Sequence, residues 1–373
     1  MPDKHKIHVY MMGSAPSLKG GMSSVVKQLL QHDWGTEMDI CYIATHMSGS
    51  AAKRCCLFIK GYLHILFLMI FQRKKIDILY LHMSYKGSFT RKYLIYKLAN
   101  AFGKKVIIHL HGSEFRQYYE YSPSIRKQRI CELFESSERV IVLGEYWSRF
   151  VRSIAPKASI EVIQNAVAIP NQMAVWNTQE VRLLYLGILI PRKGVRDLID
   201  AMHILKEREP ENPRNIRLVI GGTGDEMAAL QEQCRLLHLE KCIDFVGWVD
   251  GEIKKKLLQS SQCLILPSYN EGLPVAVLEA LSYGVPVVST DVGSICDAVR
   301  DGIDGHLIKP HEPEQIADAI ADVIENKERW SEYSRQARKI AEQVFNETEF
   351  FEKVKEIVVS AVYGGKTNDS ATD

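Results

Sequence analysis

Residues 263–290 read "CLILPSYNEGLPVAVLEALSYGVPVVST". The stretch opens on an apolar run, "CLILPS", and passes through a turn, "YNEGLP". It continues as an apolar helical pattern over 274–283 and closes on a second apolar run, "PVVST". Strand, helix and strand in that order make a βαβ unit. Runs of near-continuous apolar character suit parallel strands covered on both faces.

The same alternation extends outward in both directions. Upstream, "VRLLYLGIL", "IRLVIGG" and "IDFVGW" read as strands, and before them "KIHVYMM", "IDILYLHM", "KVIIHLHG", "RVIVLG" and "IEVIQNAV". Helical patterns fall between them at about 22–32, 88–102, 124–137, 194–208, 224–238 and 252–260, and follow at 313–326 and 327–362. The fold class is therefore α/β, with stacked βαβ units and right-handed crossovers in two copies. The break is placed at 168–180, "AIPNQMAVWNTQE", which holds Pro and Asn and has no clear period. Two domains are expected, 1–170 and 171–344. A C-terminal helix at about 345–363 rejoins the first, and a disordered tail occupies 364–373.

A chain of 373 residues that is 46% hydrophobic and 25% charged is ordinary for a two-domain globular protein. Its net charge of +2 hides an asymmetry. Residues 1–170 hold 24 Lys+Arg against 12 Asp+Glu, or +12; the remainder holds 23 against 33, or −10. Chance variation between domains explains this, or the first half faces an anionic surface. A nucleic-acid surface lacks the aromatic–basic strand pattern or recognition helix it would need. The eight cysteines include no CxxC spacing, which argues against a zinc ribbon or a thioredoxin-like motif. "MPDKHKIHVYMMG" carries no signal-peptide apolar region. A cytoplasmic location is the expectation.

One stretch departs from the βαβ rhythm. Residues 57–71, "LFIKGYLHILFLMIF", are apolar except for Lys60, Gly61 and His64, and run from Leu57 and Phe58 through Phe67. Lys53 and Arg54 precede them; Arg73, Lys74 and Lys75 follow. Fifteen residues fall short of the roughly 20 a membrane span needs. Two readings stand: a buried core helix, or a helix lying in a membrane interface with its basic flanks on lipid headgroups.

Ligands of open α/β sheets bind beyond the carboxyl ends of the strands. "VIGGTGDE" at 219–226 approaches a dinucleotide fingerprint but has Met227 where the third glycine belongs. "GILIPRKGV" at 187–195 approaches a P-loop but has Arg192 before Lys193 and Gly194 after it. What survives is a glycine loop with a cation, Lys193, at a strand end, a phosphate-handling arrangement. At the turn after "CLILPS", Pro274 is placed as the first helical residue, where its missing N–H costs nothing. The amides of Gly272 and Leu273 then face outward with the helix dipole behind them, which suits a diphosphate. Glu271 in the turn and Glu279 in the helix can accept hydroxyl hydrogen bonds on either side. Phosphates on amides and hydroxyls on two carboxylates describe a nucleotide sugar. In the first half, Gly20 and Gly21 permit close backbone approach. His111, at the end of "IIHLHGSEF", can bond a sugar hydroxyl or steady developing charge.

Together these residues resemble the retaining glycosyltransferases of family 4, with the GT-B fold: two Rossmann-like parallel α/β/α domains facing across a cleft. The family's E-x7-E stands as Glu271 to Glu279. The resemblance also covers Gly20–Gly21, "HLHG" at 109–112, "QNAV" at 164–167 and "LGILIPRKG" at 186–194. It continues through "IGGTGDE" at 220–226, which includes Gly222, "VGW" at 246–248, and "EALSYGVPVVSTDVGS" at 279–294. It implies an acceptor-side first domain, a nucleotide-sugar-binding second domain and metal-independent transfer with retention; no D-x-D motif follows a strand. Carried over by position, Glu279 holds the ribose and Glu271 contacts and positions the donor sugar. Lys193 neutralises the diphosphate with the Gly272 and Leu273 amides, Gly21 admits the phosphate, His111 contacts the sugar, and Trp248 borders the base. No cofactor is implied beyond the donor, with a UDP-sugar favoured.

The chain departs from the family pattern at two positions. Ile188 stands where a second diphosphate cation is usual, and Ala166 where Gly commonly follows Asn165. Either Arg192 or a residue elsewhere substitutes at the diphosphate, or the donor is held more weakly. "HLHGSEF" with "GGMSSVV" is most similar to bacterial members that build exopolysaccharide or O-antigen units. That similarity implies an acceptor glycan on a polyprenyl diphosphate and a peripheral position on the inner face of the cell membrane. The competing readings are a GT-B nucleotide-sugar-binding protein without catalysis, and another GT-B enzyme such as an epimerase or a phosphorylase.

Overall fold

The computed structural model describes residues 6–208 and 215–364. Of the expected tail at 364–373, residues 365–373 lie outside the described residues. The chain divides into two compact units, Met1–Gln164 with Thr348–Asp373, and Asn165–Glu347.

The first unit has strands β1 (Ile7–Ser14), β2 (Met38–His46), β3 (Ile78–Met83), β4 (Lys105–Leu110), β5 (Arg139–Val142) and β6 (Ile160–Val162). Between them run helices α1 (Gly21–Gln31), α2 (Ala51–Phe71), α3 (Gly87–Ala101), α4 (Phe115–Glu120), α5 (Ser124–Ser136) and α6 (Glu145–Ile154). The strands form one sheet in the order β2-β1-β3-β4-β5-β6, parallel throughout. All six residues of β3 are buried, which is why "ILYLHM" reads as a continuous run.

The second unit repeats the plan. Its strands are β7 (Val181–Leu186), β8 (Ile216–Gly221), β9 (Ile243–Gly247), β10 (Cys263–Leu266), β11 (Val287–Thr290) and β12 (Gly305–Ile308). Its helices are α7 (Val195–Arg208), α8 (Met227–Leu236), α9 (Gly251–Gln259), α10 (Val275–Ser282), α11 (Pro313–Val323) and α12 (Lys327–Val344). The sheet order is β12-β11-β10-β7-β8-β9, again parallel. The last helix, α13 (Glu347–Tyr363), returns to the first unit. There Phe351 stacks on His32 at 3.8 Å, and Lys105 Nζ donates to the Ala361 carbonyl at 2.8 Å.

Each sheet has a point where the chain reverses its direction of winding: between β1 and β3 in the first, and between β7 and β10 in the second. Loops leaving two such strands part to opposite faces and open a crevice at their carboxyl ends, where ligands of doubly wound sheets lie.

The apolar run at 57–71 belongs to the longer α2, which begins at Ala51 behind a Ser50 cap. It buries Gly61, Ile65, Leu68 and Met69 and leaves Ile59, Leu63, Phe67, Ile70 and Phe71 exposed. Among the described residues it is the one helix long and apolar enough to cross a membrane, and most of it is not buried.

Candidate active site

In the second unit the switch point sits between the loops after β7 and β10. The loop after β7 carries Arg192 and Lys193 in a short 3-10 turn, closed by Gly194 in the left-handed region at φ 65°. A Cβ on Gly194 would stand 2.0 Å from the Pro267 carbonyl oxygen, so only glycine lets the two loops touch. The loop after β10 carries Glu271. Lys193 Nζ and the Glu271 carboxylate form an ion pair, both side chains nearly buried. Behind it, burial and then the nearby Glu271 carboxylate push the Tyr185 phenol up, and its hydroxyl donates to the Ile188 carbonyl at 3.1 Å. Ile188 supplies no charge here. Arg192 donates to the Asn270 carbonyl at 2.9 Å, clamping the Glu271 loop from the other side.

The Glu271–Pro274 turn is fixed by its carbonyls. Asn165 Nδ2 donates to the Leu273 carbonyl at 2.8 Å, and the Ser294 amide to the Gly272 carbonyl at 2.9 Å. Gly293, at φ 64°, lets "DVGS" pass the Glu271 carbonyl; a Cβ there would lie 2.0 Å from that oxygen. With their carbonyls held inside, the Gly272 and Leu273 amides donate to no group among the described residues. Pro274 is the N-cap of α10, at ψ 124°, one position earlier than expected, because its backbone stays extended before Val275 enters the helix. Glu279 stands in the second turn of α10 and accepts from Lys254 Nζ at 2.5 Å; Lys254 lies on α9. Buried polar atoms also wait near the turn: Asn165 Oδ1 and Ser294 Oγ have no hydrogen-bond partner.

Gly222 lies at the end of β8, where a Cβ would meet the Gly187 carbonyl oxygen at 1.9 Å. Its smallness packs the β7 and β8 loops together. Trp248, partly buried, follows β9.

In the first unit Gly20 caps α1 at φ 133° with no atom within 4 Å of a Cβ position, and Gly21 opens the helix. His111 follows β4. Its Nε2 is 2.9 Å from His82 Nδ1, and His109 Nδ1 is 2.8 Å from the Tyr80 hydroxyl. Burial pushes the His111 imidazolium down to about 3, so the ring is neutral. His82 and His109 are held well below the usual range, first by burial and then by His111. The imidazole nitrogens of His82, His109 and His111 lie within 4.8 Å of one another, a donor set that could also hold a transition-metal ion.

The structure thus brings Lys193, Glu271, Gly272 and Leu273 together at one switch point, with Glu279 on the helix that follows. His111, Gly20 and Gly21 lie at the carboxyl edge of the other sheet. Sequence reasoning missed Lys254, one of three consecutive lysines in "EIKKKLLQ", because nothing in that run tells which one faces α10. It also missed His82, whose register opposite His109 appears only once β3 and β4 pair.

The family model described as "Glycosyl transferases group 1" matches residues 171–340. That match spans most of the second unit, Asn165–Glu347, which is similar to the group 1 glycosyltransferase domain. An uncharacterized glycosyltransferase of Methanocaldococcus jannaschii is 28% identical over 223 residues, 58% of this chain and 54% of that protein. The amylovoran biosynthesis glycosyltransferase of Erwinia amylovora is 27% identical over 259 residues, 66% of this chain and 60% of its own length. The chain thus spans little more than half the length of these relatives. Sucrose-phosphate synthase from Thermosynechococcus elongatus superposes with a TM-score of 0.78 at 16% identity, covering 95% of this chain and 99% of that one. Anabaena HepE, solved with UDP and glucose, superposes with a TM-score of 0.71 at 17% identity, covering 95% and 100%. The fold around the glycosyltransferase domain is GT-B, as its two six-stranded parallel sheets anticipated.

Proposed function

We propose that the protein is a retaining glycosyltransferase that moves a sugar from a nucleoside-diphosphate sugar, a UDP-sugar first among them, to a hydroxyl of a lipid-linked glycan in surface polysaccharide synthesis. One observation carries this reading: a lysine and a carboxylate meet at the switch point beside two backbone amides, just before a helix, that donate to no group among the described residues. Diphosphate oxygens laid on the Gly272 and Leu273 amides gain hydrogen bonds and the helix dipole, and Lys193 supplies a full charge. Glu279 accepts the ribose hydroxyls, with Lys254 holding its carboxylate in place, and Trp248 borders the base. Glu271 contacts the sugar. In the step itself the bond from the anomeric carbon to the diphosphate oxygen breaks. The acceptor oxygen bonds that carbon on the same face, and its proton passes to the departing diphosphate. The barrier depends on charge stabilisation of that diphosphate, which Lys193 and the amides provide without a metal ion. On the first unit, Gly20 and Gly21 leave room for close backbone approach to a ligand, and His111, neutral, offers a hydrogen bond to a hydroxyl.

The relative's role in amylovoran biosynthesis and the UDP and glucose held by HepE support the polysaccharide and UDP parts of this reading. For the lipid part, residues 51–75 hold Lys53, Arg54, Lys60, Arg73, Lys74 and Lys75 and no acid, around the exposed apolar face of α2. Leu57 and Phe58 are only partly exposed, and Phe67 is on the open face. Apolar insertion plus attraction to anionic headgroups supports a peripheral position on the inner face of the cell membrane.

A thermal-shift panel of UDP-, GDP-, ADP- and dTDP-sugars tests the donor site, since a ligand bound only by the folded form raises the melting temperature. A UDP-sugar is expected to give the largest shift; no shift with any donor overturns the reading. Flotation with anionic vesicles tests the membrane part, and absence of binding removes it.

A further inference from the structure

The carboxyl edge of β3 and β4 gathers three histidines, of which the proposed reaction uses one. His82 stands opposite His109 in the parallel register, and the His111 amide continues that ladder by donating to the Met83 carbonyl at 2.8 Å. The three rings rise from one face of the sheet. Their centroids are 4.0 Å apart for His109 and His111, 5.1 Å for His82 and His111, and 5.4 Å for His82 and His109. His82 and His109 are fully buried, and the Nε2 of each has no hydrogen-bond partner. Buried ring nitrogens are ordinarily satisfied, so two orphans in adjacent rings need an explanation.

The rings are disposed as ligands. One nitrogen from each lies within 4.8 Å of the other two. Imidazole nitrogens on one zinc ion, bound at about 2.0–2.1 Å with tetrahedral angles, stand about 3.4 Å apart. His82 Nδ1 and His111 Nε2 are 2.9 Å apart, so an ion has to part that pair only slightly and draw His109 in. The Tyr80 hydroxyl, 2.8 Å from His109 Nδ1, steadies that ring and leaves its Nε2 for the ion. A partner on the far nitrogen is what orients a metal-bound histidine. Each neutral imidazole keeps one N–H and offers the lone pair of its other nitrogen. His111 is half-buried, so water can reach the fourth position. Three imidazoles suit a borderline ion such as zinc, whereas magnesium and calcium prefer oxygen.

We propose that His82, His109 and His111 bind one zinc ion, and that the bound ion inhibits the enzyme by withdrawing His111 from the substrate hydroxyl. The ion takes no part in the transfer chemistry. The inhibitory half rests on the role given to His111 in the proposed function; the binding half does not. Lys92, buried with its ammonium on the Thr45 hydroxyl, is the cation that bears on His82, and it opposes the ion.

The test is calorimetric titration of the full chain with zinc. It is run in a Cys55→Ser/Cys56→Ser background, because those adjacent exposed thiols would also take the ion. One ion per chain is expected to bind. His109→Leu is expected to weaken binding by about 100-fold, and Tyr80→Phe by about tenfold. Lys92→Met is expected to tighten it by about tenfold, a gain that a misfolded variant would not show. Near-ultraviolet circular dichroism of the metal-free variants checks that they keep the fold. Lack of stoichiometric binding, or equal affinity in the parent and His109→Leu, overturns the site. Unchanged affinity in both Tyr80→Phe and Lys92→Met overturns it as well, whatever the fold of His109→Leu. In a transfer assay, saturating zinc is expected to lower turnover by about 10²-fold, the loss expected of His111→Ala, and EDTA to restore it. Zinc binding with turnover unchanged overturns the inhibition alone. Absence of transfer in the zinc-free protein overturns the proposed function, and calorimetry still decides the site.

Discussion

Lys193 and Glu271, 78 residues apart in sequence, form an ion pair across the β7–β10 switch point. With side-chain exposures of 12% and 7%, the pair is largely removed from water. Such a pair gains little over two well-packed neutral groups, but losing one member strands the other. A bound diphosphate would draw Lys193 from Glu271 and free that carboxylate for the sugar. The pair therefore ties the loop after β7 to the loop after β10.

That logic sets the first prediction. Lys193→Ala is expected to destabilise the protein by about 3 kcal/mol by leaving Glu271 buried and unpaired. Adding Glu271→Gln to it should recover much of the loss. Thermal melts of the wild type, both single variants and the double variant check this; additive losses would mean the two side chains do not act as a pair.

The two glutamates should differ in what they do. On the proposed reading, Glu279→Ala is expected to weaken donor binding, because it would remove a hydroxyl acceptor that ground and transition states share. Lys254→Ala should do the same to a smaller extent by releasing Glu279. Glu271→Ala and His111→Ala should leave nucleotide binding near wild type and lower turnover by about 10²-fold, acting where charge develops. Nucleotide titration beside a transfer assay separates the roles; equal loss of binding in Glu279→Ala, Glu271→Ala and His111→Ala would contradict the division.

The strands that carry this site were legible because both faces of them are covered: "CLIL" is buried at every residue and "VRLLYL" at all but one. Two edge strands were not. "MDICYIATH" is mostly half-buried in β2, and "GHLI" in β12 is four residues in a turn-rich segment, so neither presents a continuous apolar run. The helix α6 also escaped, since "EYWSRFVRSI" mixes Arg and Ser with its apolar stripe. The Glu271–Glu279 spacing and the glycines were readable as local chemistry. The Lys193–Glu271 and Lys254–Glu279 pairs were not, because both depend on which loops the parallel register sets side by side. α2 looked like a fifteen-residue apolar run; its first turns, "AAKRCC", extend it toward the N-terminus behind the Ser50 cap, with good helix formers outside the apolar run.

The charge stabilisation proposed for Lys193 and the amides makes a further prediction. Transfer should persist after dialysis against EDTA and gain nothing from added magnesium or zinc. The three-histidine cluster gives this test a definite alternative: a stoichiometric metal in the purified protein, lost together with activity in His82→Ala, would replace the metal-free mechanism with one in which that cluster holds an ion.

The same cluster sets a pH dependence of stability. His111 is neutral in the folded chain down to about 3, and His82 and His109 are likewise held well below 6.5. Below pH 6.5 an unfolded chain takes up protons that these imidazoles refuse, so acid favours unfolding. Lys92 extends the slope upward: burial and then Arg91 push its ammonium from 10.5 down to about 7. Between those values the unfolded chain holds a proton that the folded one has released, so stability climbs with pH across that interval as well. Each group in its window contributes up to about 1.4 kcal/mol per pH unit. The melting temperature is therefore expected to rise from about pH 5.5 to about pH 8.5. Lys92→Met, which keeps the aliphatic stem without the charge, should raise it at neutral pH and flatten the part of the slope above 7. A wild-type melting temperature that falls across this range would mean that these groups are hydrated in the folded chain.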